Sequence, residues 1–157
     1  MTKSKILFLC TGNSCRSQMA EAWCRALRSD RFDAFSAGTS AKGLNPHAVR
    51  VMGESGVDIT GQRSKTVHEL LTEGLVFDLV VTVCANADAH CPNFPGGRTR
   101  VVHVGFDDPP ELARDAATEE EALGHYRRVR DEIRAFVEGL PKSLGRHGTR
   151  SVSAESR

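Results

Sequence analysis

The chain has 157 residues, of which 39% are hydrophobic and 26% charged, and this size and composition predict one globular domain with a single core. The formal net charge of +1 argues against a dedicated nucleic-acid binder, and no apolar run approaches the roughly 18 residues that a membrane span requires. The first apolar run, residues 6–9, is too short for the core of a signal peptide, so we expect a cytoplasmic protein.

Strand-like and helix-like patterns alternate along the chain. Apolar runs predict strands at residues 5–9, 34–37, 77–83 and 101–104. Helical spacing, in three cases after a capping residue, predicts helices that begin near Ser17, Asn45, Thr66 and Thr118, with capping boxes at the last two. Gly139 and Pro141 end the last of these helices.

This alternation predicts an α/β fold. We expect residues 1–141 to form a single domain with a four-stranded parallel sheet and helices on both faces. Residues 142–157 have no hydrophobic period and few apolar residues, so they are predicted to form a flexible tail. Open sheets of this kind bind ligands beyond the carboxyl ends of their strands, and Cys10, Cys84 and Asp108 each follow a predicted strand. These three residues are therefore expected at one edge of the sheet.

The first strand leads into the first helix through Cys10-Thr-Gly-Asn-Ser-Cys-Arg-Ser17, which we call the oxyanion loop. A turn of this length can curl its backbone N–H groups around a tetrahedral oxyanion, at the positive end of the helix dipole. Gly12 and Asn13 tolerate the left-handed backbone that such a turn needs. Arg16 can hold two oxygens of the anion through its planar guanidinium, and the same positive field favours the thiolate form of Cys10.

The oxyanion loop is thus predicted to supply a nucleophile and an anion-binding site together. Cys10 is the nucleophile, and Ser17 could donate a hydrogen bond to its sulfur. The residues expected around the anion are Thr11, Gly12, Asn13, Ser14, Cys15, Arg16 and Ser17. The plainer alternative is a buried structural cysteine in an ordinary strand-to-helix turn, which the position between a strand and an amphipathic helix disfavours.

The oxyanion loop resembles the signature of low-molecular-weight protein tyrosine phosphatases and of the arsenate reductases that share their fold. Four further segments are similar to that group: Ser36-Ala-Gly38, Gly43-Leu-Asn-Pro46, Gly105-Phe-Asp-Asp-Pro109 and residues 127–133. The resemblance runs from about residue 5 to residue 140. It implies a low-molecular-weight tyrosine phosphatase-like fold and a general acid at Asp108, with Asp107 as the alternative acid.

Five cysteines in a chain without an evident export signal favour chemistry over structural disulfides. A phosphatase needs one thiol, whereas a reductase must also supply two electrons from further thiols. The resemblance implies a thioredoxin-coupled arsenate reductase in which Cys84 and Cys91 follow Cys10 as the second and third redox cysteines. The alternatives are two incidental thiols, or a zinc site with His90 and His103 whose spacing matches no familiar zinc pattern. We therefore predict no metal and no organic cofactor.

The implied reaction converts arsenate to arsenite. Arsenate bonds to Cys10 while Asp108 protonates the leaving oxygen. Cys84 then displaces arsenite by forming a disulfide with Cys10, and Cys91 moves that disulfide to a Cys84–Cys91 pair. Thioredoxin is the reductant that the resemblance implies, although a glutaredoxin or a small thiol could serve instead. We expect a monomer with no nucleic-acid or membrane partner.

The sequence is also compatible with two other functions. A phosphatase acting on phosphotyrosine or small phosphate esters would use the same loop and acid. The aromatic residues that commonly wall the phosphotyrosine slot in such phosphatases are replaced here by Pro110, Glu111 and Leu112. A thiol sensor or arsenic-binding protein without enzymatic activity would be favoured by a buried, inert Cys10.

One position departs from the pattern of the family. Some of these arsenate reductases bind a potassium ion through residues that match Asn13, Glu21 and Ser36, together with an acidic residue where this chain has Lys65. An ammonium group removes an oxygen ligand and adds a positive charge where the cation would sit. Lys65 is therefore expected either to lie against Glu21 in place of the ion or to point to solvent.

Overall fold

Five strands form one sheet in the computed structural model, which describes residues 3–146 and 149–151. In chain order they are β1 (Ser4–Cys10), β2 (Phe32–Gly38), β3 (Leu79–Thr82), β4 (Arg100–His103) and β5 (Thr149–Ser151). Their order across the sheet is β2-β1-β3-β4-β5. The first four strands are parallel, which confirms the predicted parallel sheet, and β5 runs antiparallel to β4.

Helices cover both faces of this sheet, as predicted. Among the described residues they are α1 (Arg16–Leu27), α2 (Pro46–Glu54), α3 (Val67–Thr72), α4 (Ala85–Ala89), α5 (Pro109–Ala113) and α6 (Glu119–Glu138). Residues 6–9 of β1 point alternately to opposite faces and are all fully buried, so neither face is open to solvent there. Helices α1, α2 and α5 pack with α6, whereas α3 contacts β2 and α4 contacts β1 and β3.

Side-chain caps explain why two of the helices begin where they do. The Asn45 carboxamide oxygen accepts from the backbone N–H of His47 at 2.8 Å, and Pro46 occupies the first helical position of α2. At α3, Thr66 and Glu69 form the predicted reciprocal capping box, with bonds of 3.2 Å and 3.0 Å. The local sequence therefore determines where α2 and α3 begin.

The capping box predicted at Thr118 forms only in half. The Thr118 hydroxyl accepts from the backbone N–H of Glu121 at 3.0 Å, as expected at the start of α6. The carboxylate of Glu121 instead accepts from the N–H of Ala117 at 2.9 Å, one residue before the cap. The prediction of a reciprocal bond to Thr118 is therefore wrong, because the Glu121 side chain reaches past the cap.

The segment predicted as a flexible tail, residues 142–157, contains two elements that the sequence did not predict. Lys142–Arg146 form a 3-10 helix in which Leu144 is buried and the Ser143 hydroxyl donates to the Phe136 carbonyl at 2.8 Å. Strand β5 follows and pairs with β4. Elements of five and three residues are too short to show a hydrophobic period. Residues 147, 148 and 152–157 of this segment lie outside the described residues.

The register of the parallel strands aligns their carboxyl ends. Cys10 at the end of β1 lies opposite Gly38, Leu9 lies opposite Thr82 at the end of β3, and Thr82 lies opposite His103 at the end of β4. The loops after these strands consequently leave the sheet at one edge. No helix in the described part of the chain combines the length and the apolar character that crossing a membrane requires.

Candidate active site

The loops at the carboxyl edge of the sheet enclose a cavity of about 290 Å³. The residues that line it are Cys10, Thr11, Gly12, Ser14, Cys15, Arg16, Lys42, Asp108 and Pro110. The structure thus brings together Cys10, Arg16 and Asp108, three of the predicted catalytic residues. Cys84 and Cys91 are not among the lining residues and lie on the chain that follows β3.

Residues 39–45, which we call the supporting segment, hold the oxyanion loop from outside. Its backbone N–H groups donate to carbonyl oxygens of the loop: Thr39 to Cys10 at 3.1 Å, Ser40 to Thr11 at 2.8 Å, Lys42 to Gly12 at 2.9 Å and Asn45 to Ser14 at 2.9 Å. Because the N–H and C=O of a peptide unit point in opposite directions, these bonds turn the N–H edge of the loop toward the cavity. Such a concave row of N–H groups is suited to an anion.

The supporting segment is a part of the site that sequence analysis missed. The family-like motif Gly43-Leu-Asn-Pro46 overlaps this segment, but the motif does not predict that the segment contacts the oxyanion loop. The pairing joins residues about thirty positions apart, between β2 and α2, and no local pattern encodes it.

Asn13 shapes the interior of the oxyanion loop. Its φ of 48° is left-handed, as predicted, and its side chain is fully buried. The Asn13 amide donates to the hydroxyls of Ser17 at 2.9 Å and Ser36 at 3.0 Å, while its carboxamide oxygen accepts from the backbone N–H of Lys65 at 2.9 Å. Gly12 does not have a positive φ, so only Asn13 of these two residues uses the left-handed backbone that both tolerate.

Cys10 is held at the base of the cavity by Ser17. The Cys10 sulfur lies 2.9 Å from the Ser17 hydroxyl, and both groups are buried. Since the Ser17 oxygen already accepts from the Asn13 amide, its own proton is available to the sulfur. This arrangement directs a hydrogen-bond donor at the Cys10 sulfur, and a hydrogen bond is strengthened by burial.

Arg16 faces the loop that carries the candidate acids. One guanidinium nitrogen donates to the Phe106 carbonyl at 3.0 Å, and another lies 3.5 Å from a carboxylate oxygen of Asp108. Asp107 points elsewhere and pairs with Arg128 of α6 at 2.9 Å. Of the two candidate acids, Asp108 is therefore the one whose side chain lines the cavity.

Cys84 joins the site through Thr11 of the oxyanion loop. Its sulfur lies 3.2 Å from the Thr11 hydroxyl and accepts from the backbone N–H of Ala87 at 3.4 Å, so that it caps α4. The Thr11 hydroxyl also donates to the Asn86 side chain at 3.2 Å. The second thiol is thus buried beside the loop that carries Cys10.

Cys91 lies beyond the opposite end of α4 and is half-buried. We call residues 84–91 the redox segment. Cys84 is the N-cap of α4 and Cys91 follows its C-cap, His90, so the helix lies between the two thiols.

Lys65 lies against Glu21 and does not point to solvent. Its ammonium nitrogen is 3.8 Å from a Glu21 carboxylate oxygen, and it donates to the Arg63 carbonyl at 2.9 Å. The same Glu21 oxygen accepts from the Ser36 hydroxyl at 2.6 Å. Burial lowers the pKa of Lys65, and the neighbouring Glu21 carboxylate acts in the opposite direction. The pair puts an internal cation beside the oxyanion loop.

The remaining cysteines have inert surroundings. Burial raises the pKa of Cys15 well above its ordinary value, and burial raises the pKa of Cys24 to about 12. Both are buried thiols rather than reactive thiolates. All five cysteines lie in described residues and none is joined in a disulfide. Within that part of the chain no group of three His, Cys, Asp or Glu residues is arranged to hold a metal ion.

A thiol, an arginine and a carboxyl group around a concave row of backbone N–H groups define a thiol-based site for a tetrahedral oxyanion. Residues 5–150 match the family described as low molecular weight phosphotyrosine protein phosphatase, and the chain belongs to this family. This confirms the family and the fold that the motifs implied.

Several arsenate reductases are similar to this chain over most of their length. An arsenate reductase of Halalkalibacterium halodurans is 50% identical over 133 residues, which cover 85% of this chain and 91% of the relative. An arsenate reductase of Bacillus subtilis is 48% identical over 133 residues, with the same coverage of 85% and 91%. The crystal structure of an arsenate reductase from Archaeoglobus fulgidus matches with a TM-score of 0.63 at 31% identity, over 86% of this chain and 97% of that one.

Proposed function

We propose that this protein reduces arsenate to arsenite, using Cys10 as nucleophile and Cys84 and Cys91 as the thiols that supply and pass on the electrons. The observation that carries the proposal is the hydroxyl of Thr11, which links the Cys84 sulfur at 3.2 Å to the loop that bears Cys10. A phosphatase has no use for a second thiol held in this way. The similarity to arsenate reductases that are 50% and 48% identical supports the same conclusion.

The first step forms a bond between sulfur and arsenic. Arsenate, which has the shape of phosphate, binds to the N–H edge of the oxyanion loop and to the guanidinium of Arg16. The Cys10 thiolate attacks arsenic, and one arsenic–oxygen bond breaks. Asp108 gives its proton to the departing oxygen, which leaves as water. The residues expected around the anion remain Thr11, Gly12, Asn13, Ser14, Cys15, Arg16 and Ser17.

The second step transfers the electrons. The Cys84 thiolate attacks the sulfur of Cys10, and the sulfur–arsenic bond breaks with its electron pair going to arsenic. Arsenic is thereby reduced from the +5 to the +3 state and leaves as arsenite, while Cys10 and Cys84 are oxidised to a disulfide. The Cys91 thiolate then attacks Cys84, which releases Cys10 as a thiolate and leaves a Cys84–Cys91 disulfide.

Formation of the last disulfide requires the redox segment to change shape. Cys84 and Cys91 lie at opposite ends of α4, and we propose that α4 unwinds so that Cys91 can reach Cys84. A helix of five residues has little stability of its own, which keeps this cost low. The unwound segment presents the disulfide to an external dithiol, and we propose thioredoxin for this role. The cytoplasmic location and the monomeric state stay predictions from the sequence.

The cavity itself favours a small inorganic oxyanion over an aromatic phosphate ester. Its volume is about 290 Å³, and no aromatic side chain is among the described residues that line it. A phosphotyrosine slot needs an aromatic or flat apolar wall for the phenyl ring. Slow hydrolysis of an aryl phosphate would still be expected, because phosphoryl transfer uses only Cys10, Arg16 and Asp108.

The proposal is tested by arsenate-dependent oxidation of NADPH with purified thioredoxin and thioredoxin reductase. We expect saturable oxidation that stops when thioredoxin is omitted. A parallel assay with glutaredoxin, glutathione and glutathione reductase identifies the reductant. Absence of arsenite production with either system would overturn the proposed activity.

A further inference from the structure

Lys42 of the supporting segment is built into the cavity of the oxyanion loop. It lines that cavity together with Cys10, Arg16 and Asp108, although it is distant from all three in the chain. Its backbone N–H donates to the Gly12 carbonyl at 2.9 Å, which fixes the position of its Cα beside the loop. The side chain therefore starts at the rim of the cavity rather than reaching it from a distance.

The absence of a side chain at Gly12 makes room for the stem of Lys42. A Cβ atom added at Gly12 would lie 3.2 Å from Cγ of Lys42 and 3.3 Å from its Cβ and Cδ, closer than ordinary van der Waals contact. Since Gly12 has no positive φ, backbone conformation does not explain the glycine. Close approach of the lysine stem does explain it, and this contact anchors the first three methylene groups of an otherwise exposed side chain.

The ammonium group of Lys42 forms no ion pair with a carboxylate among the described residues, whereas Arg16 is paired with Asp108 and Lys65 with Glu21. An arsenate or phosphate dianion that enters the cavity would meet Arg16, whose guanidinium is already paired with the Asp108 carboxylate. A second cation at the rim would balance the remaining charge.

We infer that Lys42 is a second cationic binding residue for the tetrahedral oxyanion, held over the cavity by its packing on Gly12. It acts on binding of the dianion and takes no part in proton or electron transfer. This inference rests on the proposed function, because it concerns the anion that the oxyanion loop receives. It would hold equally for inorganic phosphate, which carries the same charge and shape.

The test compares three variants of the full-length reduced protein. Lys42→Met removes the ammonium and keeps the stem, Lys42→Arg keeps the charge, and Lys3→Met makes the same charge change just before β1, at the opposite end of the sheet. The dissociation constant of inorganic phosphate is measured by titration calorimetry, and KM and kcat for arsenate are measured with thioredoxin.

Lys42→Met should raise both the dissociation constant of phosphate and the KM for arsenate by about five- to tenfold, while kcat changes less than about twofold. Lys42→Arg should stay within about threefold of the wild type, and Lys3→Met should not differ from it. Equal phosphate affinity in Lys42→Met and Lys3→Met would overturn the inference. If phosphate affinity falls as expected but the wild type does not reduce arsenate, the inference stands and the proposed function fails.

Discussion

The oxyanion loop and the redox segment lie side by side at one edge of the sheet, but they are held in opposite ways. In the oxyanion loop Asn13 and Ser17 are fully buried, and the supporting segment binds the carbonyl oxygens from outside. Half of the residues of the redox segment are exposed, and it is built around a five-residue helix. It is tied to its neighbours through Thr11 and through a bond of 3.2 Å from the Thr82 hydroxyl to Asp88.

This difference matches two different chemical demands. Binding and attack on an oxyanion need donors that do not move during the reaction, because their fixed dipoles stabilise charge without a cost of reorganisation. Passing a disulfide to an external partner needs a segment that can open. Under the proposed relay, one sheet edge supplies both, because the rigid loop follows β1 and the segment that has to open follows β3.

Changes inside the rigid region should have the largest effects. Cys10→Ser removes the nucleophile and Arg16→Ala removes the guanidinium that faces the anion, so each should reduce arsenate turnover by at least about a thousandfold. Arsenite release measured over time checks this. Circular dichroism of both variants controls for folding, and near wild-type turnover in either folded variant would refute the site assignment.

Changes inside the redox segment should stop multiple turnover while sparing the anion site. Cys84→Ser should stall before arsenite leaves, whereas Cys91→Ser should still release about one arsenite per enzyme because the Cys10–Cys84 step is intact. Hydrolysis of an aryl phosphate should survive in both variants and serves as the control. Undiminished steady-state arsenate reduction in both would rule out the relay.

The Thr11 hydroxyl links the two regions, and its removal should affect disulfide formation without removing any of the reacting groups. Thr11→Val removes the hydroxyl that contacts Cys84 and Asn86, and it should slow formation of the Cys10–Cys84 disulfide by about tenfold, the effect of one lost hydrogen bond. Thr39→Val is the matched control, because its hydroxyl bonds to the Thr11 carbonyl at 3.2 Å but has no described contact with Cys84. Quenched-flow thiol counting compares the two, and equal rates would show that Thr11 does not position Cys84.

A substitution outside both regions should change the stability of the whole fold without changing catalysis. Glu54 of α2 binds Arg127 at 2.8 Å and Arg130 at 3.0 Å, both on α6. The Arg127 hydrogen bond, with Arg130, lowers the pKa of Glu54 from 4.5 to about 2. Because the folded-state pKa is depressed, the stabilisation is present above pH 4.5 and is lost as the pH falls toward 2.

Glu54→Gln should therefore lower Tm by about 2 °C at neutral pH, with kcat unchanged. The difference in Tm from the wild type should shrink between pH 4.5 and pH 2. Calorimetric scans across this range provide the measurement. A difference that grows toward acid pH would contradict the assignment of the ion pairs.

The smallest expected effect concerns the cation beside the oxyanion loop. The ammonium of Lys65 already lies 3.8 Å from a Glu21 carboxylate oxygen. A potassium ion about 4 Å from this ammonium would be repelled by roughly 4 kcal/mol at an effective dielectric near 20. Activity and Tm should therefore be the same in potassium and sodium buffers of equal ionic strength. A saturable rise in Tm with potassium alone would contradict this, and Lys65→Asp, which removes the ammonium, is the variant in which such a rise is expected.

Local sequence patterns predicted much of the oxyanion loop but not the supporting segment that holds it. The Cys10 to Ser17 motif, the strand before it and the left-handed Asn13 could be read directly, since each depends on neighbouring residues. The box at Thr118 is local, but its motif does not show which backbone N–H group the Glu121 side chain binds. The supporting segment and the contact of Lys42 with Gly12 could not be predicted, because each joins residues that are distant in the chain. The pairing of β5 with β4 was missed for the same reason.

The division of labour between the two regions is tested most directly by a single turnover without any external reductant. Reduced wild-type protein mixed with excess arsenate should release about one arsenite per enzyme. Cys10 and Cys15 share the tryptic peptide of residues 6–16, so fragmentation of this peptide is needed to tell them apart, and both Cys84 and Cys91 lie in the peptide of residues 66–98. Mass spectrometry should show the second peptide lighter by two hydrogens in the wild type, and the two peptides joined by a disulfide in Cys91→Ser. No arsenite in the absence of reductant, or a disulfide that involves Cys15 or Cys24, would contradict the account.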